Sequence, residues 1–153
     1  MSSKFVSVRG LILSAKEQIT MVVVLFIFSL TIQAADLTDL TYDATGATVI
    51  ITDCNLAASG SLVITNLIEG KQVTSIGDEA FKDCTNLTGI TLPSSLISIG
   101  AGAFKYCSNL DNLPIPSSVT NIGDWAFRSC TSLTSLVIPA SVTSIEDYLF
   151  CYC

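Results

Sequence analysis

A 23-residue repeat fills the second half of the chain and constrains its fold more than any other feature. Three full copies and half of a fourth follow one another without insertion, at residues 73–95, 96–118, 119–141 and 142–153. Equivalent positions of a short repeat stack coil upon coil, so a column of like apolar residues becomes a core that no single coil could bury. The repeat therefore predicts a solenoid.

Apolar residues recur at fixed positions of the repeat. One column is isoleucine and another is phenylalanine: Ile76, Ile99, Ile122 and Ile145, then Phe81, Phe104, Phe127 and Phe150. An L-x-x-L-x-L-P string ends each full copy, and its alternation up to the proline predicts one short parallel strand per coil. The V-x-x-I-G and A-F-x-x-C half predicts an extended segment, a bend and a short helical turn. At the bend, Gly77, Gly100 and Gly123 are expected to adopt a positive φ, although the last copy has Glu146 there.

These residues resemble the BspA-type leucine-rich repeat family, whose unit reads V-T-S-I-G-x-x-A-F-x-x-C-x-x-L-x-x-L-x-L-P. The match covers Val73 to Cys153. The resemblance implies a right-handed leucine-rich repeat coil and, for some members, adhesion at the cell surface or binding to host and matrix. Residues 36–72 match more loosely. The turn within Thr41 to Thr52 predicts a hairpin, and a family member would use this β-rich segment as its N-terminal cap.

The first 35 residues have the layout of a secretory signal peptide. An apolar run from Met21 to Thr31 follows three basic residues and precedes a pair of small residues, Ala34 and Ala35, after either of which cleavage is expected. The rival interpretation is a retained membrane anchor, but this run is nearer half of the about 20 apolar residues that cross a bilayer. We therefore expect a secreted or cell-surface protein whose only membrane contact would be an uncleaved leader.

Charge and composition exclude several classes of function. After removal of the leader the chain keeps four basic and twelve acidic residues, a net charge of −8, which argues against a nucleic-acid partner. The chain has no histidine, which excludes Ser/His and Cys/His nucleophile pairs and His-containing zinc sites. No phosphate-binding glycine loop is present, so no cofactor is expected. We predict a protein that is not an enzyme.

Six cysteines in an exported chain raise the question of disulfides. Four of them share one repeat position: Cys84, Cys107, Cys130 and Cys153. Neighbours in such a column lie close enough for a bridge, but parallel side chains pointing into a core favour free, buried thiols. A metal site at Cys151 and Cys153 lacks a second pair of ligands, so no metal is expected.

Acidic residues are the remaining candidates for chemistry. Asp78, Asp124 and Asp147 share a column that Ala101 interrupts. Asp78 and Asp124 each stand four residues before a basic residue, which is typical of a solvated helical face. Catalysis or calcium binding by this broken column is the less favoured interpretation.

The surface of the solenoid is therefore the expected functional site. The residues between the leucines should face outward in three columns: Thr88, Asp111 and Thr134; Gly89, Asn112 and Ser135; Thr91, Pro114 and Val137. A second candidate is aromatic, with Trp125 and Tyr148 in one column and Tyr106 and Tyr152 in another. Exposed aromatic residues are enriched at the energetic centres of protein contacts, although they could instead pack along neighbouring coils.

We expect this exported solenoid to bind a protein or another extracellular macromolecule at the cell surface. The alternative is a structural spacer within a larger surface protein, with no ligand of its own. The half repeat at Cys153 leaves apolar residues near an open edge, so either the sequence is a fragment of a longer repeat protein or another chain covers that edge.

Overall fold

The computed structural model describes residues 6–8, 11–13, 34–145 and 147–153. It divides into two units, Met1–Gln33 and Ala34–Cys153. In the first unit, strands β1 (Val6–Val8) and β2 (Leu11–Leu13) pair antiparallel. Most of the proposed leader, including its apolar run, lies outside the described residues, and so does Glu146. Among the described residues, no helix is long and apolar enough to cross a membrane.

A hairpin begins the second unit. A 3-10 turn, Leu37–Asp39, is capped by the Asp36 carboxylate, which accepts a hydrogen bond from the Thr38 N–H at 2.7 Å. Strand β3 (Leu40–Asp43) then pairs antiparallel with β4 (Val49–Cys54). Two short strands follow, β5 (Gly60–Val63) and β6 (Leu67–Ile68). The hairpin of β3 and β4 supplies one edge of the main sheet.

The main sheet runs along the V-x-x-I side of the repeats. Strands β7 (Lys71–Ile76), β9 (Ser98–Ile99) and β10 (Asn121–Ile122) pair in parallel, and the strand order is β10-β9-β7-β4-β3. The register places Ile76 opposite Ile99 and Ile99 opposite Ile122. All three isoleucines are buried, so the predicted stacking of equivalent residues is observed here, whereas Ile145 of the last copy is exposed.

The leucine side of the repeats is less regular than expected. Strand β8 (Leu87–Thr91) pairs in parallel with β5, and a single bridge joins Gly89 to Asn112. Within the described residues, the corresponding segments of the second and third copies form no strand. In the second copy, Pro114 contributes to this because it has no N–H to donate to a ladder. The expectation of a strand at every L-x-x-L-x-L-P string is therefore met only in the first copy.

The segment expected to form a helical turn in each copy has a different structure. Within the first copy, alternate N–H groups close tight turns, as when Lys82 donates to the Glu79 carbonyl at 2.9 Å, while the intervening ones cross to the next coil. Phe81 thus donates to the Ala103 carbonyl at 2.8 Å. Each turn has two residues with left-handed backbone: Glu79 and Asp83, Gly102 and Tyr106, Trp125 and Ser129, Tyr148 and Tyr152. A right-handed helix excludes residues with left-handed backbone, and the hydrogen bonds between coils favour these tight turns instead.

The prediction of a positive φ at the three repeat glycines is wrong. Positive φ occurs at Gly60, Gly70 and Gly102, and not at Gly77, Gly100 or Gly123. Glycine is needed at Gly77, Gly100 and Gly123 because the neighbouring coil approaches each of these positions closely. A Cβ on Gly100 would lie 2.6 Å from the Asp78 nitrogen, and a Cβ on Gly123 would lie 2.6 Å from the Ala101 nitrogen.

Candidate interaction surfaces

The turns project a cluster of aromatic and basic side chains, which we call the turn-face patch. It comprises Lys105, Tyr106, Trp125, Arg128, Tyr148 and Tyr152. Three of its aromatic residues are exposed, with accessible fractions of 41% for Trp125, 64% for Tyr148 and 71% for Tyr152. All four aromatic residues occupy left-handed positions of the turns. Successive turns therefore bring residues from three coils into one surface.

Cation–π contacts connect the members of the turn-face patch. The Lys105 Nζ lies 5.1 Å from the ring centre of Tyr106 and 5.9 Å from that of Trp125. The Arg128 guanidinium carbon lies 5.9 Å from the ring of Tyr106 and 5.3 Å from that of Tyr152. The rings of Trp125 and Tyr148 are 6.3 Å apart and inclined by 35°. These side chains are thus partly ordered before any partner arrives.

Neither cation of this patch forms an ion pair with a carboxylate of the described residues. Lys82, which holds the same repeat position as Lys105 and Arg128, forms the only ion pair in the described part of the chain, with Glu79 at 2.8 Å. Arg128 is half-buried, and its Nε is buried with no hydrogen-bond partner. Sequence reasoning missed Lys105 and Arg128 as candidates. The available signal was that one repeat position holds three of the four basic residues after the leader.

A shallow groove adjoins the turn-face patch at Tyr106. Its volume is about 480 Å³, and its walls are five hydroxyl-bearing side chains and one carboxylate from three coils: Thr85, Tyr106, Ser108, Ser129, Thr131 and Asp83. Ser129 takes the repeat position that tyrosine occupies in the coils on either side of it, Tyr106 and Tyr152. This small residue leaves the Arg128 guanidinium space to lie against both rings.

The predicted outward columns form a second surface, the strand face. Eight of its nine residues are exposed: Thr88, Thr91, Asp111, Asn112, Pro114, Thr134, Ser135 and Val137. Gly89 is the exception and is buried, because the Ser61 side chain and the Asn112 carbonyl flank it. Val137 is 81% exposed and borders a groove of about 250 Å³ between the segments at Asn112 and Ser135. This face is polar and carries one charged residue, Asp111.

The cysteine column packs inside the coils. Cys84, Cys107 and Cys130 are buried, and all six cysteines are free thiols. The Cys107 thiol donates to the Phe81 carbonyl at 2.9 Å, and the Cys130 thiol donates to the Phe104 carbonyl at 3.1 Å. Burial raises the pKa of the Cys107 thiol, and it raises the pKa of Cys130 to about 12. Such thiols are poor nucleophiles, so they are structural parts of the core.

Cys153 departs from the predicted buried column because its side chain is exposed. Its thiol still donates to the Phe127 carbonyl, at 2.8 Å, as its counterparts do one coil earlier. Within residues 34–145 and 147–153, no group of three or more acidic or cysteine residues could hold a metal ion. The broken aspartate column is used in part for structure, since the Asp78 carboxylate accepts a hydrogen bond from the Ala101 N–H at 2.8 Å.

Comparison with known proteins gives a consistent result. The family model for the BspA type leucine rich repeat region matches residues 57–153, in six copies. No curated protein matches the chain.

Solved structures of bacterial leucine-rich repeat proteins are similar to it. A Treponema pallidum leucine-rich repeat protein is 30% identical with a TM-score of 0.66, over 72% of this chain and 52% of that one. A Bacteroides ovatus leucine-rich repeat protein is 32% identical with a TM-score of 0.65, over 75% of this chain and 32% of that one. This chain thus spans about half and about a third of their lengths.

A third similar structure is described as a leucine rich cell surface protein, from Faecalibacterium prausnitzii. It is 25% identical with a TM-score of 0.58, over 75% of this chain and 39% of that one.

Proposed function

Because this chain belongs to the BspA-type leucine-rich repeat family, we propose that it is an exported, non-enzymatic scaffold that binds another protein through the turn-face patch. The observation that carries the proposal is the exposure of Trp125, Tyr148 and Tyr152 on neighbouring turns. Tryptophan, tyrosine and arginine dominate the energetic centres of protein interfaces. Large, ordered side chains of this kind also lose little conformational entropy on binding.

The hydrophobic core does not require the exposed rings of Trp125, Tyr148 and Tyr152. The core is already complete without them, since the first three rings of the phenylalanine column and the apolar residues beside them are buried beneath the turns. The strand face is the competing surface. It has one large exposed apolar residue, Val137, and otherwise small or polar side chains, so it offers fewer energetic anchors.

Export to the cell surface is part of the proposal. It is supported by the leader pattern at residues 1–35 and by the description of the similar Faecalibacterium prausnitzii protein as a cell surface protein. In an oxidising compartment, burial of Cys84, Cys107 and Cys130 would protect these thiols from oxidation.

Selection from a displayed library of random peptides on the purified protein tests the binding surface. Peptides enriched on the wild type are then measured against the double variant Trp125→Ala/Tyr148→Ala and against the strand-face variant Thr88→Ala/Ser135→Ala. We expect the first to lose binding at least about tenfold and the second to retain it, with both melting close to the wild type.

Two outcomes would contradict the proposal. Peptides that lose binding only to the strand-face variant would move the interaction to that face. Failure to enrich any peptide would favour the spacer function, in which the repeats bind nothing themselves.

A further inference from the structure

We propose that Arg128, assisted by Lys105, recognises a carboxylate of the protein partner at the centre of the turn-face patch. This inference rests on the proposed function and names the chemistry that the partner must present. The first observation is the distribution of charge. Residues 36–153 have twelve acidic and four basic residues, yet Lys105 and Arg128 lie together on adjacent turns.

The four basic side chains of this region differ in the interactions that they make. Lys82 is paired with Glu79, and the Lys71 ammonium donates to the Ala44 carbonyl. Lys105 and Arg128 instead contact aromatic rings and form no ion pair within the described part of the chain. Lys105 nevertheless lies near Glu79, whose pKa is lowered first by the hydrogen bond from Lys82 and further by the charges of Lys82 and Lys105. Arg128 is held by rings and forms no ion pair with a described carboxylate, so its positive charge remains available for an anion from outside.

The geometry favours a carboxylate that approaches Arg128 from its edge. Tyr106 and Tyr152 contact the guanidinium from neighbouring coils, at 5.9 and 5.3 Å, and limit its motion. Rings stack on the flat faces of a guanidinium, whereas hydrogen bonds are donated from its edge, so the two interactions do not compete. The buried Nε without a partner shows that the group is already partly stripped of water. Partial desolvation strengthens the attraction between such a cation and a carboxylate.

The net charge of the domain decides between a protein and an acidic polysaccharide. A polyanion would meet the Lys105 and Arg128 charges but also the surrounding acidic residues, including Asp124 on the turn of Arg128 and Asp147 on the next turn. A net charge of −8 repels a ligand with a carboxylate on every unit. A single Asp or Glu flanked by apolar side chains avoids this repulsion, and its neighbours can pack on the exposed rings of Trp125 and Tyr148.

Peptides enriched from the displayed library provide the test, since their sequences are known. We expect Asp or Glu to recur in them, and we expect Arg128→Gln to weaken binding by about tenfold or more, the size of one hydrogen bond to a charged group. The matched control is Lys82→Gln, which removes a cation at the same repeat position that Glu79 already neutralises. Its effect on binding should be less than about twofold.

A double-mutant cycle identifies the contact itself. Replacing the recurring Glu of a peptide by Gln should cost little against Arg128→Gln, because the interaction has already been removed. Lys105→Gln measures the contribution of the second cation, which also contacts two rings. Thermal melting shows whether either variant is destabilised.

Three results would overturn the inference. Peptides without an acidic residue, additive losses in the cycle, or capture of polygalacturonate in place of peptides would each do so. Peptides that lose binding to Trp125→Ala/Tyr148→Ala but not to Arg128→Gln would leave the turn-face patch in place and remove only the carboxylate contact.

Discussion

The ring of Phe104 stacks on that of Phe127, with centroids 5.8 Å apart and planes inclined by 7°. The same relationship joins Phe81 to Phe104 at 5.2 Å and Phe127 to Phe150 at 5.6 Å. Burial is complete for the first three rings, while Phe150 in the last copy is 42% exposed. The column thus offers a chemically identical residue in two environments.

Replacing Phe104 by alanine should lower the free energy of unfolding by about 3–5 kcal/mol, because it leaves a cavity between two stacked rings. The matched control is Phe150→Ala, which removes the same side chain from an exposed position and should cost about 1–2 kcal/mol. Urea unfolding followed by circular dichroism measures both. Equal losses in the two variants would show that the buried stack does not stabilise the coils as the structure indicates.

Alanine at Gly100 should also destabilise the protein, by about 1–3 kcal/mol, because the added methyl would collide with the backbone of Asp78. Gly46→Ala is the control, since a Cβ there would meet nothing within 4 Å. Gly100→Asn separates the two explanations for this glycine. If a positive φ were the reason, asparagine would be tolerated better than alanine, whereas steric exclusion predicts that it is no better.

The core columns could be predicted from the sequence because stacking makes each repeat position a structural position. Burial of Ile76, Phe81 and Cys84 follows from their recurrence alone. Recurrence shows that a repeat position is constrained, but it does not show which physical requirement constrains it. A glycine at Gly100 signals a local requirement, but only the distance between coils shows that the requirement is space and not φ.

Contacts between coils also explain why the turns and the Arg128 environment could not be predicted. The A-F-x-x-C pattern has helical spacing, but the N–H of Phe81 bonds to the Ala103 carbonyl of the next coil and not within its own turn. The rings that flank Arg128 come from the coils before and after it. Neither relationship is visible within one copy of the repeat.

Processing of the leader should occur between Ala34 and Ala35, in preference to the next bond. Ala35 is buried, and its N–H donates to the Ser59 carbonyl at 2.7 Å, so cleavage after Ala35 would remove a residue from the core. Intact-mass measurement of protein exported from a bacterial host identifies the new N-terminus. A mature chain that begins at Asp36, or one that retains the leader, would contradict this prediction.

The cysteines should react with iodoacetamide in an order set by their burial. Cys153 is exposed and Cys151 is partly exposed, so these two should be alkylated first in the folded protein. Cys107 and Cys130 should remain unmodified until the protein is unfolded in guanidinium, when six thiols become reactive. Peptide mass spectrometry at increasing reaction times checks the order. Early modification of Cys107 would show that the coils open locally at this position.

The buried Cys130 thiol should make the protein less stable as the pH rises above about 8.5, the ordinary pKa of a cysteine. The pKa of Cys130 is raised to about 12 in the folded protein by burial. Between these two values the unfolded chain releases the thiol proton and the folded chain keeps it, so the free energy of unfolding falls with pH. The slope should approach about 1.4 kcal/mol per pH unit for this thiol. Urea titrations of wild type and Cys130→Ala from pH 8 to 11 isolate the contribution of Cys130. The tyrosines and lysines, which also titrate in this range, are common to both proteins. Equal slopes would mean that Cys130 ionises as readily in the folded state as in the unfolded one.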